Sequence, residues 1–269
     1  MKNRVATAGY SRNGLPYARM EGGPQNLVIF EGLSFVHEPP SGLRQRWICG
    51  NKRYFAEHFT VYYVGRKPGL PDGYSIRDMS DDYATMLREE IESPFHLMGV
   101  STGGTIAQCF AVDHPELVQR LVLASTGYRL SERGAEIQRK VASLVRAGKW
   151  RSAAAAMAHG ITTGRTRPVW VSFFWILGKV IFGVPKDPSD GLVELDAEDK
   201  FDFGECLANI RVPTLVIGGD NDCFYPVRQT AAGIPSARLV LYKKAGHLVM
   251  RKGQFNRDIL AFLIEDENT

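Results

Sequence analysis

The sequence predicts an α/β protein, with a mostly parallel sheet, helices on both faces and a helical insertion. Three observations carry that expectation. Short apolar runs alternate with helical patterns through the first half of the chain, as βαβ crossovers require. The alternation stops near residue 125, and a stretch without convincing strands follows to residue 199. Two strand patterns and a closing helix then resume it. With 269 residues, 44% hydrophobic and 23% charged, the chain can bury a sizeable core and is not disordered.

The elements follow in order. Residues 4–10 and 15–20 flank Asn13-Gly14, a hairpin signal. Residues 26–30 (NLVIF) are the first buried-strand pattern, followed by strands at 59–64, 95–100 and 118–124. Helices are predicted between them at 43–57, 75–91 and 103–113. The second opens with Ser75 and Asp78, a capping box with Asp in place of Glu or Gln. From 131 to 199 the pattern is helical, and Ala153 to Ala158 form helix strongly. Gly164, Pro168, Pro185 and Pro188 break this stretch into several short helices. Strands return at 213–217 and 237–241, and an amphipathic helix covers about 254–264. The reading divides the chain into a core (1–128 and 200–269) and a helical cap (129–199).

Composition excludes several function classes. A net charge of +4, without a basic stripe interleaved with aromatics, argues against nucleic acid. The longest apolar run, 169–184, is interrupted by Gly178, Lys179 and Gly183, so no stable membrane insertion is expected. The first seven residues, MKNRVAT, lack the hydrophobic core of a signal peptide. Cys49, Cys109, Cys206 and Cys223 form no CxxC pair, so neither a metal nor a redox cofactor is expected. A reduced, cytoplasmic chain is the resulting expectation.

The sharpest local signal is Gly99-Val100-Ser101-Thr102-Gly103, a G-x-S-x-G between a predicted strand and a predicted helix. Small neighbours permit a tight turn that lifts the serine hydroxyl above the sheet edge, and the helix N-terminus favours negative charge there. A phosphate loop would need Gly-Lys-Ser/Thr, which is absent. The loop after the first parallel strand, Glu31-Gly32-Leu33-Ser34, does not match a dinucleotide fingerprint.

A serine nucleophile needs a base. Of six histidines, His247 in Lys244-Ala245-Gly246-His247-Leu248 follows the last strand pattern and reaches the same sheet edge as Ser101. His96 lies inside a strand and reads as a core residue. His114 ends a helix and His58 precedes a strand. His37 and His159 lie where they line a pocket without being the base. An acid is expected after residues 213–217, where Asp220 and Asp222 compete. Both also suit Asx turns.

Taken together, Gly99 to Gly104, Gly219-Asp220-Asn221-Asp222 with Pro226, and Ala245-Gly246-His247 resemble the α/β-hydrolase superfamily, whose order is also Ser, Asp, His. Residues 63–69 and Ser75 resemble its loop and helix start after the next strand. The resemblance covers nearly the whole chain and implies an eight-stranded-type sheet under a variable cap. Its spacing favours Asp222 over Asp220, and it assigns the oxyanion-binding N–H groups to Leu33 and Thr102. One departure is Glu31-Gly32, where relatives often carry His-Gly. A serine rather than an aspartate nucleophile argues against dehalogenase and epoxide hydrolase chemistry and for acyl transfer without a cofactor. The expected partner is a small carboxylic ester or lactone, acyl-homoserine lactones included. The alternatives are a C–C hydrolase, a cofactor-free perhydrolase or a receptor-like ligand-binding module. Large apolar cap residues mostly pack the cap, while His37, Trp170, Phe174 and Trp175 are assigned to the substrate pocket.

Overall fold

The computed structural model describes residues 6–235, 237–251 and 253–265. Arg4 and Val5 of the predicted hairpin, and the side chain of Phe182, lie outside that description. Eight strands form one sheet: β1 (Ala6–Tyr10), β2 (Pro16–Met20), β3 (Gln25–Phe30), β4 (Phe59–Val64), β5 (Phe95–Val100), β6 (Val118–Ala124), β7 (Thr214–Gly219) and β8 (Ala237–Tyr242). Their order is β1-β2-β4-β3-β5-β6-β7-β8. The β1–β2 and β2–β4 pairs are antiparallel, and the pairs from β4 to β8 are parallel. The predicted hairpin is present, with its turn widened to the five residues from Ser11 to Leu15. Leu15 itself is buried, and Ser11 N–H donates to the Leu15 carbonyl.

The central strands are apolar along their length because both faces are covered. Leu27, Val28, Ile29 and Phe30 of β3 are all fully buried. On one face they meet α2 (Ile76–Glu90) and α3 (Thr102–Asp113), through Met79, Tyr83, Ile106 and Phe110. On the other they meet the short turn 55–57 and α9 (Phe255–Leu263), through Phe55, Phe255 and Ile259. Each such side chain contributes about 1.5–3 kcal/mol on burial. Ser75 and Asp78 make the full reciprocal cap at the start of α2. The buried His96 stacks edge-on to Phe59, and burial with Arg120 nearby pushes it down to about 4.

Two local expectations are corrected. The helix predicted over 43–57 divides into α1 (Gly42–Lys52) and a 3-10 turn (Phe55–Glu57). The adjacent Phe55 and Ala56 are both buried, and the tight turn drives this consecutive pair inward. A seven-residue helix, α8 (Val227–Gly233), joins β7 to β8 where none was expected.

Between β6 and β7 the described residues form α4 (Glu132–Arg146), α5 (Trp150–Ile161), α6 (Arg167–Phe182) and α7 (Ser189–Asp199). Pro168 sits in the first turn of α6, where its missing N–H costs nothing. Among the described residues no helix is long and apolar enough to cross a membrane.

Candidate active site

Ser101 stands between β5 and α3 with φ +52° and ψ −124°, a positive φ that costs a non-glycine residue about 1–3 kcal/mol. The neighbours explain how the turn closes. A Cβ at Gly99 would stand 2.5 Å from Gly104 Cα, and one at Gly103 would stand 2.3 Å from the Phe30 carbonyl oxygen. Ser101 N–H donates to Ala124 O at 3.0 Å, and Gly104 N–H to Ser101 O at 2.7 Å. The strained turn is thereby tied to β6 and to the first turn of α3.

His247 lies in the loop after β8, with Nε2 3.1 Å from Ser101 Oγ and Nδ1 2.9 Å from Asp222 Oδ2. Ser125 Oγ donates to the His247 carbonyl at 2.8 Å, anchoring that loop to the end of β6. Asp222 also makes an Asx turn: its Oδ1 accepts Phe224 N–H at 2.9 Å and Tyr225 N–H at 3.4 Å. Asp220 itself is exposed. It is the second aspartate that combines an Asx turn with the histidine contact. Phe224 and Tyr225 pack on the imidazole, with ring centroids 5.1 and 5.7 Å away. Burial opposes a charge on His247, but the charge and hydrogen bond of Asp222, with Glu198 beyond it, raise its pKa above the ordinary histidine value.

The loop after β3 runs beside the serine: a Cβ at Gly32 would lie 3.5 Å from Ser101 Cβ. Its backbone is held by Arg66, which is 1% exposed. The guanidinium donates from Nη1 to Glu31 O at 2.5 Å and from Nη2 to Gly32 O at 2.7 Å. It also forms a bidentate pair with Glu194 of α7, at 2.7 Å on both oxygens. Because C=O and N–H of a trans peptide point in opposite directions, the Leu33 N–H points away from Arg66. Glu31, the departure noted in the sequence, pairs with Arg44 of α1 at 2.9 Å.

His37 joins this cluster and is buried. Its Nε2 lies 2.5 Å from Glu194 Oε1, and its Nδ1 is 3.1 Å from Lys67 O. Burial disfavours the His37 cation, yet Glu194 raises its pKa. Burial likewise opposes ionisation of Glu194, but Arg66 and His37 hold its pKa below the usual carboxylate value.

One turn further along α7, Glu198 is 1% exposed. Its Oε2 accepts Thr102 Oγ1 at 3.0 Å and Gln138 Nε2 at 2.7 Å, and its Oε1 accepts Tyr225 Oη at 2.5 Å. Burial pushes this carboxyl up despite those hydrogen bonds. Sequence reasoning missed Arg66, Glu194, Glu198 and Tyr225. The traces were Arg66's place in the 63–69 stretch and the spacing of Glu194 and Glu198, which puts them on one helical face.

The cap aromatics separate by exposure. Trp170 and Phe174 are half-buried along α6, flanking Phe173 at centroid distances of 5.8 and 6.1 Å. Trp175 is 48% exposed and carries the Arg151 guanidinium over its ring at 5.4 Å.

Comparison with known proteins agrees with this architecture. The family model described as "Alpha/beta hydrolase family" matches residues 40–255. The protein named "Putative carbamate hydrolase RutD" in Serratia proteamaculans is 27% identical over 239 residues, covering 79% of this chain and 84% of that protein. The enol-lactonase from Burkholderia xenovorans LB400 superposes with a TM-score of 0.76 at 21% identity, covering 96% of this chain and 100% of the other. A thermophilic esterase from Thermogutta terrifontis gives a TM-score of 0.71 at 22% identity, with 97% and 98% covered. The structural likenesses speak for the fold, and the family match spans both sides of the helical insertion. The chain belongs to the alpha/beta hydrolase family.

Proposed function

We propose that the protein is a serine hydrolase that cleaves a small carboxylic ester or lactone through an acyl-enzyme. The observation that carries this reading is the unbroken line from Ser101 Oγ through His247 to Asp222, with contacts of 3.1 and 2.9 Å. His247 Nε2 takes the Ser101 proton as Oγ attacks the substrate carbonyl. The oxygen becomes an oxyanion, held by the N–H groups of Leu33 and Thr102. Collapse breaks the ester C–O bond, and His247 returns the proton to the leaving alkoxide. Water then attacks the acyl-enzyme with the same base, releasing the acid and restoring Ser101. The names of the three relatives given above fit acyl transfer but divide over the substrate, between lactone, ester and carbamate.

The test is a panel of p-nitrophenyl esters of graded chain length, several lactones and a primary carbamate, run beside Ser101→Ala. Ser101-dependent turnover of esters or lactones is the expected result. Turnover of the carbamate alone would move the substrate class, and ligand binding without turnover of any panel member would favour the receptor-like alternative.

Two further expectations follow. Turnover should rise with pH as His247 loses its proton, because only the neutral ring accepts from Ser101. Since the folded pKa is raised, the midpoint should stand above the reference value of about 6.5. A midpoint at or below that value, measured as kcat/KM against pH, would contradict the Asp222–His247 contact. On the cap, Phe174→Ala should change chain-length preference by about tens-fold, since each methylene contact is worth roughly 1–3 kcal/mol. Trp175→Ala should leave it unchanged. Equal selectivity in both variants would remove α6 from the pocket.

A further inference from the structure

The two proposed oxyanion donors stand on separate loops. Leu33 follows β3 and Thr102 opens α3. Donors serve only when their spacing is held to about 0.5 Å. We propose that cap helix α7 is the positioning element for both donors, through two buried carboxylates one turn apart. Glu194 acts on Leu33 by way of Arg66, and Glu198 acts on Thr102 by way of its hydroxyl.

The route to Leu33 is direct. Glu194 fixes the guanidinium with two bonds of 2.7 Å, and the remaining Arg66 donors fix the carbonyls of Glu31 and Gly32. Fixing the Gly32 carbonyl orients the whole Gly32–Leu33 peptide plane, and so aims the Leu33 N–H. The second route is shorter. Thr102 is the first residue of α3, so no helical partner satisfies its N–H, and its hydroxyl donates to Glu198 at 3.0 Å. The same carboxylate receives Tyr225 Oη at 2.5 Å, and the Tyr225 ring lies 28° from parallel to His247. Glu194 and Glu198 are Arg- and hydroxyl-bound within the core, where a helix serving only to close the cap would need nothing more than apolar packing.

This inference rests on the proposed hydrolase reading, and the experiment separates the two. The readout is the ratio of kcat/KM for an oxoester and the matching thionoester, because C=S accepts poorly from oxyanion donors. Glu198→Gln should lower oxoester kcat by about 10²-fold, the scale of a lost oxyanion donor, with KM within about threefold. The thionoester rate should fall less, so the oxo/thiono ratio shrinks. Thr102→Val should behave like Glu198→Gln, and Thr102→Ser should restore the wild-type ratio. Glu194→Gln should do the same as Glu198→Gln if it folds; Glu198 and Thr102 carry the test if it does not. Asp199→Asn, which breaks only the surface pair with Arg139, should change nothing. Parallel loss on both esters, or a change in KM and thermal stability alone, would reduce α7 to a structural strut. Ester turnover that survives Ser101→Ala would overturn the hydrolase reading, and this inference with it.

Discussion

Ser101→Ala should lower ester turnover by about 10⁶-fold, the scale on which serine hydrolases respond to loss of the nucleophile. The substitution removes only Oγ. Ser101 N–H and C=O remain bonded to Ala124 and Gly104, and alanine tolerates the positive φ no worse than serine does. Stability should therefore stay close to wild type, separating a chemical loss from unfolding. A fluorophosphonate should label Ser101 in the native protein, with one adduct by mass spectrometry, and should leave the variant unlabelled. An active variant with label on another serine would remove Ser101 from the chemistry while leaving the fold untouched.

The next largest effect is expected from Asp222→Asn, about 10⁴-fold in turnover. In the native site the His247 Nδ1–H donates to Oδ2, which leaves Nε2 free to accept from Ser101. An amide nitrogen at that place would donate to Nδ1, driving the ring proton to Nε2, the wrong side. The amide oxygen can still accept Phe224 and Tyr225 N–H in the place of Oδ1, so the loop should persist. Without the carboxylate the raised pKa of His247 should fall, and the residual activity should titrate at lower pH than wild type. Asp220→Asn, at an exposed position, should stay within a few-fold. Near-normal turnover in Asp222→Asn and collapse in Asp220→Asn would reverse the assignment.

The parallel sheet, the serine turn and the placement of His247 were legible because each has a local signal: apolar runs, glycines at fixed spacing, a loop after a strand. Asp222 needed the superfamily's spacing to prefer it to Asp220. What could not be read was the burial of charge. Arg66 and Glu194 are 128 residues apart, and nothing near either one marks it as interior. The stretch SDGLVELDAEDK looks solvated because local pattern reports polarity, while the partners that make Glu194 and Glu198 tolerable inside come from α3, α4 and the loops after β3, β4 and β7. His37 was placed on the correct loop, but its partner lies on the cap. The short helix α8 escaped for a different reason: seven residues are too few to establish a helical period.

The ion pair beneath α7 also restricts how the helical insertion can move. Lifting the whole cap as one body would draw Glu194 away from Arg66 and His37, stranding buried charges at about 3–5 kcal/mol. It would also pull Asp190 off the amides of Gly69 and Leu70. Helix α6 packs chiefly on α5 and leaves Val169, Phe173 and Ile176 exposed. The seat of α7 is firmest between the lowered pKa of Glu194 and the raised pKa of His37. It loosens in acid as Glu194 protonates, and in part toward alkaline pH as His37 loses its charge.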